Sequence, residues 1–545
     1  MRDYEDIKSA IASVVLVRRE SGVRIVAVDE KSTAQWLFDF RALLLQPQWL
    51  NRYAEIFWSR YADQYPFQVC GMETAGISLV AAIVMKGVER GTPVNGLFIR
   101  KSRKRSGLMK TIEGTPTGEP VILVDDLINS GKTFDKQLKI LGEASMHVTD
   151  IFALLAFRDF GAYVFAEKYK VRLFALFTLA DFGLPLLPSR APEIPKDAFD
   201  ILWHFRAKNP SHNFVVHKSS PVTDDKRVYF GSDAGILYAL DQSTGDIVWE
   251  FRTGRHPDDK GIFSSPVLAD GTLYFGAYDG NVYALDAETG NKKWAYSDAD
   301  WVGSSPIIAP DAGLLFIGLE FGLFRKRGGI VALSLADGKK VWEQSTREYT
   351  HGSPLFVKEE DMVVIGSNDG VLYAYEASNG ALRWTYATKG DIKMRPAYDP
   401  KRRLIIANSM DGNIYVVSAP DGTPVFARAT GAGIYSTPLV HGDTLYVSSL
   451  DKCVYAIDLA TFKDRWEFAT SGRIFSSPVI ENGSLWIGSN DGRLYELDPA
   501  NGKLRGFFQA TERVVNPIAY DKNTGRIFLP TCANEMYCLK GKRKR

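Results

Sequence analysis

The residues with the clearest capacity for chemistry lie in one run, Val121-Ile-Leu-Val-Asp-Asp-Leu-Ile-Asn-Ser-Gly-Lys-Thr133. Four apolar residues read as a buried strand, two aspartates cap it, and small polar residues lead into a helix. Such a turn suits a ribose phosphate. The amides of residues 129–133 and the helix N-terminus make an anion cradle, Ser130 and Thr133 add hydroxyl donors, and Gly131 lets the backbone come close. Ile128, Asn129 and Lys132 complete the predicted substrate-binding run. Asp125 and Asp126 are placed to hold ribose hydroxyls and to keep a Mg²⁺–diphosphate complex in position, so their contact with the metal is expected to be indirect. Asp126 is the better candidate for a base. A plain helix cap on an acidic strand end explains each residue singly but not the ordered set.

A second chemical feature precedes it. Arg100, Lys101, Arg103, Lys104 and Arg105 place five cations in six residues. They repel one another unless a polyanion arrives, which suits a loop that orders on substrate; a solvated surface loop is the competing reading. His147 is the one histidine in the first 183 residues, so imidazole triad chemistry is not expected.

These residues need a sheet to position them. Strand patterns fall at 14–17, 23–28, 67–70, 97–100, 121–125, 148–157 and 171–176, with helical patterns at 36–45, 49–61, 77–88 and 132–141. The alternation implies an α/β domain over residues 1–183, a mainly parallel sheet with helices on both faces and ligand loops at the strand carboxyl ends. Pro185, Pro188, Pro192 and Pro195 mark a linker at 184–198.

Residues 199–545 repeat. Pro221, Pro266, Pro306, Pro354, Pro396, Pro438, Pro478 and Pro517 recur at roughly 42 residues, the length of a four-stranded propeller blade. Asp279-Gly280, Asp369-Gly370, Asp411-Gly412 and Asp491-Gly492 read as type I′ hairpins. Trp249, Trp294, Trp342, Trp384 and Trp466, with Phe426 once in their place, read as core wedges between blades. The last repeat supplies three strands. Residues 200–206 echo 246–252 and are expected to complete it, giving an all-β eight-bladed ring latched by both of its ends.

Composition adds limits. The chain has 545 residues, 45% hydrophobic and 24% charged, with a net charge of +2, which fits two soluble domains. There is no membrane-length apolar run and no signal-peptide pattern at the start. Cys70, Cys453, Cys532 and Cys538 are scattered, which fits a reducing cytoplasm. The basic stretch 540–545 reads as a solvated end, so nucleic acid is not an expected partner.

The 121–133 run resembles the phosphoribosyl-pyrophosphate motif of type I phosphoribosyltransferases. Phe98-Ile-Arg-Lys-Ser-Arg-Lys-Arg-Ser-Gly107 is similar to the mobile catalytic loop of the orotate branch, with Ser106 where that family has histidine. The resemblance implies catalytic roles for Arg100, Lys101 and Lys104, and a diphosphate loop at Gly71-Met-Glu-Thr-Ala-Gly-Ile77 that contains Glu73 and Thr74. It also implies an arginine reaching the base at Arg158, beside Phe157 where aspartate is usual. Phe38-Asp-Phe-Arg41 is similar to the segment before that family's first long helix. The base hood, Ser21-Gly22 onward, departs from the pattern. The family further implies Mg²⁺, phosphoribosyl pyrophosphate and a nucleobase such as orotate as substrates, and a homodimer through the N-terminal domain. The repeats resemble pyrroloquinoline-quinone dehydrogenase propellers and their non-enzymatic relatives. The adjacent cysteine pair, calcium site and export signal of those enzymes are not visible, so a quinone is not expected and the propeller reads as a platform for a protein partner. The insertion 321–329, with Arg325, Lys326 and Arg327, is its conspicuous contact candidate. The expected function is Mg²⁺-dependent phosphoribosyl transfer; a non-catalytic phosphoribosyl pyrophosphate or nucleotide sensor, or a scaffold, are the alternatives.

Overall fold

The computed structural model describes residues 4–18, 36–72, 75–100, 112–187, 198–207, 219–254, 261–323 and 326–542. The chain divides into two compact units, Met1–Ile194 and Pro195–Arg545.

The first unit opens with helix α1 (Glu5–Ala10), a π-helical turn at Ile11–Val15 and the short antiparallel pair β1 (Leu16–Arg18) and β2 (Trp36–Phe38). Helices α2 (Arg41–Leu44) and α3 (Pro47–Tyr61) follow, then β3 (Gln68–Met72), α4 (Ala75–Glu89), β4 (Asn95–Ile99), β5 (Ile112–Glu113), β6 (Val121–Ile128), α5 (Lys132–Glu143), β7 (Val148–Ala156), α6 (Val164–Lys168) and β8 (Arg172–Thr178). The sheet order is β5-β4-β3-β6-β7-β8, parallel apart from β5. Because β6 is covered on both faces it is apolar throughout its first half. Ile122 and Val124 join the core under α3 and α4, with Phe57, Trp58 and Ile83, while Val121 and Leu123 join the core under α5, with Phe134 and Leu138.

Three sequence readings need correction here. The helix expected at 36–45 is a strand at Trp36–Phe38 and one turn of helix at Arg41–Leu44. Trp36 and Phe38 pack instead on Phe157 at centroid distances of 5.6 and 5.8 Å, and burial of the aromatic cluster decides the backbone. The strand expected at 14–17 begins only at Leu16. Strand β6 runs on to Ile128, past the aspartates that were read as its end. The strand expected at 23–28 lies outside the described residues, as does the linker from 188 to 197.

Among the described residues, the second unit forms eight four-stranded antiparallel sheets. The eighth is Ala519–Asp521, Arg526–Pro530 and Glu535–Gly541 joined by β9 (Phe199–Arg206), in the register Cys538↔Trp203 and Leu539↔Ile201. The ring is therefore closed by a strand from the start of the unit, as the echo of 246–252 implied. In the Asp-Gly turns only the glycine is left-handed: Gly280 has φ 86° and Asp279 does not. These are therefore ordinary turns closed by a glycine bulge, not type I′. The carboxylates explain why, since Asp369 accepts from Val371 N at 2.9 Å and from Tyr373 Oη at 2.7 Å.

The tryptophans join blades by a repeated contact. Trp342 Nε1 donates to Ala377 O of the next blade at 2.9 Å, and the indole lies against Gly380, where any Cβ would meet the ring at 2.7 Å. Where Phe426 replaces tryptophan it stacks on Phe462 at 4.5 Å, and Phe462 itself takes φ 56° in place of the glycine. In the seventh blade the position is Gly506, and a Cβ there would stand 2.9 Å from Ala198 Cβ. The missing side chain makes room for the closing strand. Replacing Gly506 with tryptophan is expected to evict that strand. Hydrogen exchange should then show lost protection in residues 199–206 and a lower melting temperature, whereas unchanged protection would show that the glycine does not admit the strand.

Candidate functional site

Sheet order explains where a ligand can enter. From β3 the chain crosses through α4 to β4 on one side, while β6, β7 and β8 continue on the other, so neighbouring strands β3 and β6 flank a point where the winding reverses. Their carboxyl ends part there and leave a cleft. A cavity of about 800 Å³ opens at this place, lined by Asp125, Asp126, Ile128, Asn129, Ser130, Gly131 and Thr133 from β6 and its loop. Met72, Ile77, Ser78 and Ala81 line it from the β3 side, and Leu37, Phe38, Asp39, Phe40 and Arg41 close it from the β2–α2 segment.

The structure thus brings together most of the predicted run. Gly131 takes φ 76° and α5 begins directly after it at Lys132. A Cβ on Gly131 would collide with the Phe165 ring, so the turn needs glycine both for conformation and for space. Asn129, Ser130 and Thr133 are exposed to the cleft. Gly71 and Gly76 explain the close approach of α4 to β3: a Cβ on either would stand 2.8 Å from the other's Cα. Glu73 and Thr74, between them, lie outside the described residues, as do Lys101 and Lys104.

The electrostatics centre on the aspartates. Asp125 Oδ1 accepts from Asp126 N at 2.9 Å, and Asp126 Oδ1 accepts from Leu127 N at 2.8 Å. Burial pushes the Asp126 carboxyl above the usual carboxylate range, against hydrogen bonds from Asp125 and the backbone that pull it down; Asp39 adds a further upward push. Asp39, in contrast, is held below that range by Arg41, whose Nε and Nη2 reach it at 2.8 and 3.1 Å. A carboxylate pair hydrogen-bonded to the strand's own amides is fixed in direction, and its hard oxygens suit sugar hydroxyls or a divalent cation. Among the described residues no group of three or more His, Cys, Asp or Glu side chains could hold a metal by itself. Two carboxylates fit Mg²⁺ only in the form it prefers with nucleotides, carried by substrate phosphates.

Two predicted residues sit elsewhere. Arg100 directly follows β4, with Nη1 at 3.5 Å from Glu113 Oε1 on β5. The pairing Ile99↔Ile112 places residues 99 and 112 side by side at the sheet edge. Arg158, expected at the base, is buried and places Nε on Asn129 O at 3.0 Å. It braces the loop from behind and is not part of the cleft lining. Asp39 and Arg41 fall, in the sequence, within the helical pattern at 36–45 and the family-like segment, neither of which assigns them to the site. The signal for their place in the cleft was the Asp-x-Arg spacing, which lets one side chain fold back on the other.

Comparison with known proteins agrees with this division. The family model described as outer membrane protein assembly factor BamB matches residues 200–355, 326–404 and 368–529, and the chain belongs to that family. The second unit also resembles solved structures: BamB from Moraxella catarrhalis (19% identity, 64% of this chain and 99% of that one, TM-score 0.51) and the quinohemoprotein alcohol dehydrogenase from Comamonas testosteroni (13%, 64% and 77%, TM-score 0.52). At these identities the likeness is one of fold. The N-terminal region is similar to orotate phosphoribosyltransferases. That of Bradyrhizobium sp. (strain BTAi1 / ATCC BAA-1182) is 24% identical over 172 residues, 29% of this chain and 93% of the relative. That of Rhodopirellula baltica is 31% identical over 120 residues, 22% and 62%. That of Pyrococcus furiosus is 29% identical over 147 residues, 26% and 77%. The N-terminal unit has the mixed sheet and flanking helices of the phosphoribosyltransferase fold, and the rest of the chain is an eight-bladed propeller. The four cysteines are free, and among the described residues no helix is long and apolar enough to cross a membrane.

Burial of the Asp126 carboxyl also bears on stability. A carboxyl whose folded value is raised contributes stability at low pH that is lost as pH rises through that value. Holding that carboxyl ionised in the folded state costs desolvation free energy. Asp126→Asn is therefore expected to raise the melting temperature of the ligand-free protein near neutral pH, at about 2–4 °C per kcal/mol for a domain of this size, with the gain shrinking as the pH falls toward the carboxylate range. Calorimetry at two pH values checks this; a lower melting temperature near neutral pH would contradict it.

Proposed function

We propose that the N-terminal unit is a Mg²⁺-dependent phosphoribosyltransferase, moving ribose 5-phosphate from phosphoribosyl pyrophosphate to a nucleobase of the orotate class or a related pyrimidine, and that the propeller carries a protein partner. The observation that carries the reading is the end of β6. Two fixed carboxylates and a glycine turn open onto one cleft, in a domain similar to orotate phosphoribosyltransferases.

In this reading the loop amides of 129–133 bind the 5-phosphate, with the N-terminus of α5 adding its dipole. Asp125 and Asp126 accept hydrogen bonds from the ribose 2- and 3-hydroxyls and turn the anomeric carbon toward the acceptor. Mg²⁺, bound with the diphosphate, would neutralise leaving-group charge next to these carboxylates. As the bond from the anomeric carbon to diphosphate oxygen breaks, a ring nitrogen of the base takes its place, and positive charge develops on the ribose ring. Arg100, exchanging Glu113 for the diphosphate, stabilises the departing group together with Lys101 and Lys104, Glu73 and Thr74 approach it from the β3 side, and Asp126, with its raised affinity for a proton, accepts the one the base releases. The family's homodimer extends to this chain as part of the proposal.

A binding-only sensor is the second reading. Phe157 favours it: the position that carries aspartate in the family is here packed against Trp36 and Phe38. Incubating the protein with phosphoribosyl pyrophosphate, Mg²⁺ and a panel of bases, and measuring diphosphate release, separates the two. Release is expected with at least one base and is expected to vanish in the Asp125→Asn/Asp126→Asn double variant. Binding without release on every base would remove the enzyme reading, and full activity of the double variant would refute the site.

A further inference from the structure

The segment that follows β7 does more than cap the strand. Phe157 N donates to Ile128 O at 2.9 Å. Tyr163, 2% exposed, donates its hydroxyl to the same carbonyl at 2.9 Å and accepts from Arg158 N at 3.1 Å. Arg158 Nε donates to Asn129 O at 3.0 Å. Two successive carbonyls of the loop are thus turned toward one strap of chain. In a trans peptide the N–H lies opposite the carbonyl of the preceding residue. Fixing the carbonyls of Ile128 and Asn129 therefore fixes the amides of Asn129 and Ser130 to face away from the strap. Those residues line the cleft, and among the described residues their amides make no hydrogen bond. Phe165 completes the brace by filling the space beside Gly131.

We infer that Arg158 and Tyr163 are positioning residues for phosphate: they hold the β6–α5 loop with its amides presented, and Arg158 is not a base-recognition group. This rests on the phosphoribosyl reading, and it reassigns the role that the resemblance gives to Arg158. The energetic reason is preorganisation. A loop free to flip either peptide loses one amide from the cradle and presents a carbonyl oxygen to an anion, which repels it.

The test uses the full chain, with Mg²⁺·phosphoribosyl pyrophosphate and ribose 5-phosphate as probes. Titration calorimetry should show Tyr163→Phe weakening both by about tenfold, through loss of the hydroxyl that joins Arg158 N to the Ile128 carbonyl. Arg158→Leu should weaken both at least as much, and Arg158→Lys should recover part of the loss, since an ammonium can still donate to the Asn129 carbonyl. With any base that supports turnover, the acceptor KM should stay within twofold while the KM for phosphoribosyl pyrophosphate rises. Hydrogen exchange should report the intact fold of each variant, with faster exchange confined to residues 128–134. Wild-type protein that binds neither probe would remove the phosphoribosyl reading itself. Wild-type binding that Tyr163→Phe and Arg158→Leu leave unchanged would overturn this inference alone, as would an acceptor KM that rises in Arg158→Leu without any change for the phosphoribosyl donor.

Discussion

The N-terminal unit depends on which way two peptide groups face. Strand β6 is buried on both sides, so its own backbone has no freedom, and its ladder to β7 continues to Ile128↔Ala156. Beyond that point the carbonyls of Ile128 and Asn129 are claimed by Phe157, Tyr163 and Arg158. The amides of Asn129 and Ser130 are thereby left facing away from these groups. Asp125 and Asp126 sit immediately before this turn and are tied to the strand by their own oxygens. In the proposed function, anion donors and hydroxyl acceptors would then be presented from one stretch of chain before any ligand arrives, which is the condition for electrostatic stabilisation without reorganisation.

The propeller solves a different problem. A four-stranded blade cannot bury both of its faces, and each joint needs a large wedge against a surface with no side chain. The indole-on-glycine contact meets both needs and adds a hydrogen bond, as at Trp342 with Gly380 and Ala377. The ring is not a pure repetition, because the joint at Gly506 gives up its wedge to let Ala198 and Phe199 in; Phe199 then packs on Trp486 at 5.7 Å. Closure in this way removes the open strand edge that an incomplete last blade would expose.

Much of this was legible in the residues, for physical reasons. Blade number followed from spacing, because each repeat must rebuild the same strands and the same wedge. The site segment was legible because a buried strand, paired carboxylates and a glycine turn are all local. What depends on tertiary packing was not. Residues 36–45 carry a helix-like pattern, yet Trp36 and Phe38 are drawn into a strand by Phe157. The Asp-Gly turns carried a type I′ signature, yet each aspartate spends its carboxylate on the turn and on the tyrosine four residues after it. Arg158 was visible as a family-like arginine, but its bond to Asn129 joins residues 29 apart in the chain, and no local pattern encodes it.

In the proposed function the loop after β6 receives a sugar phosphate through its amides. Hydrogen–deuterium exchange of the intact chain, with and without ribose 5-phosphate, reads those amides directly. Slower exchange is expected in residues 129–133 on adding the sugar phosphate, with no change in the blades. Exchange in that loop that is indifferent to saturating ribose 5-phosphate would contradict it.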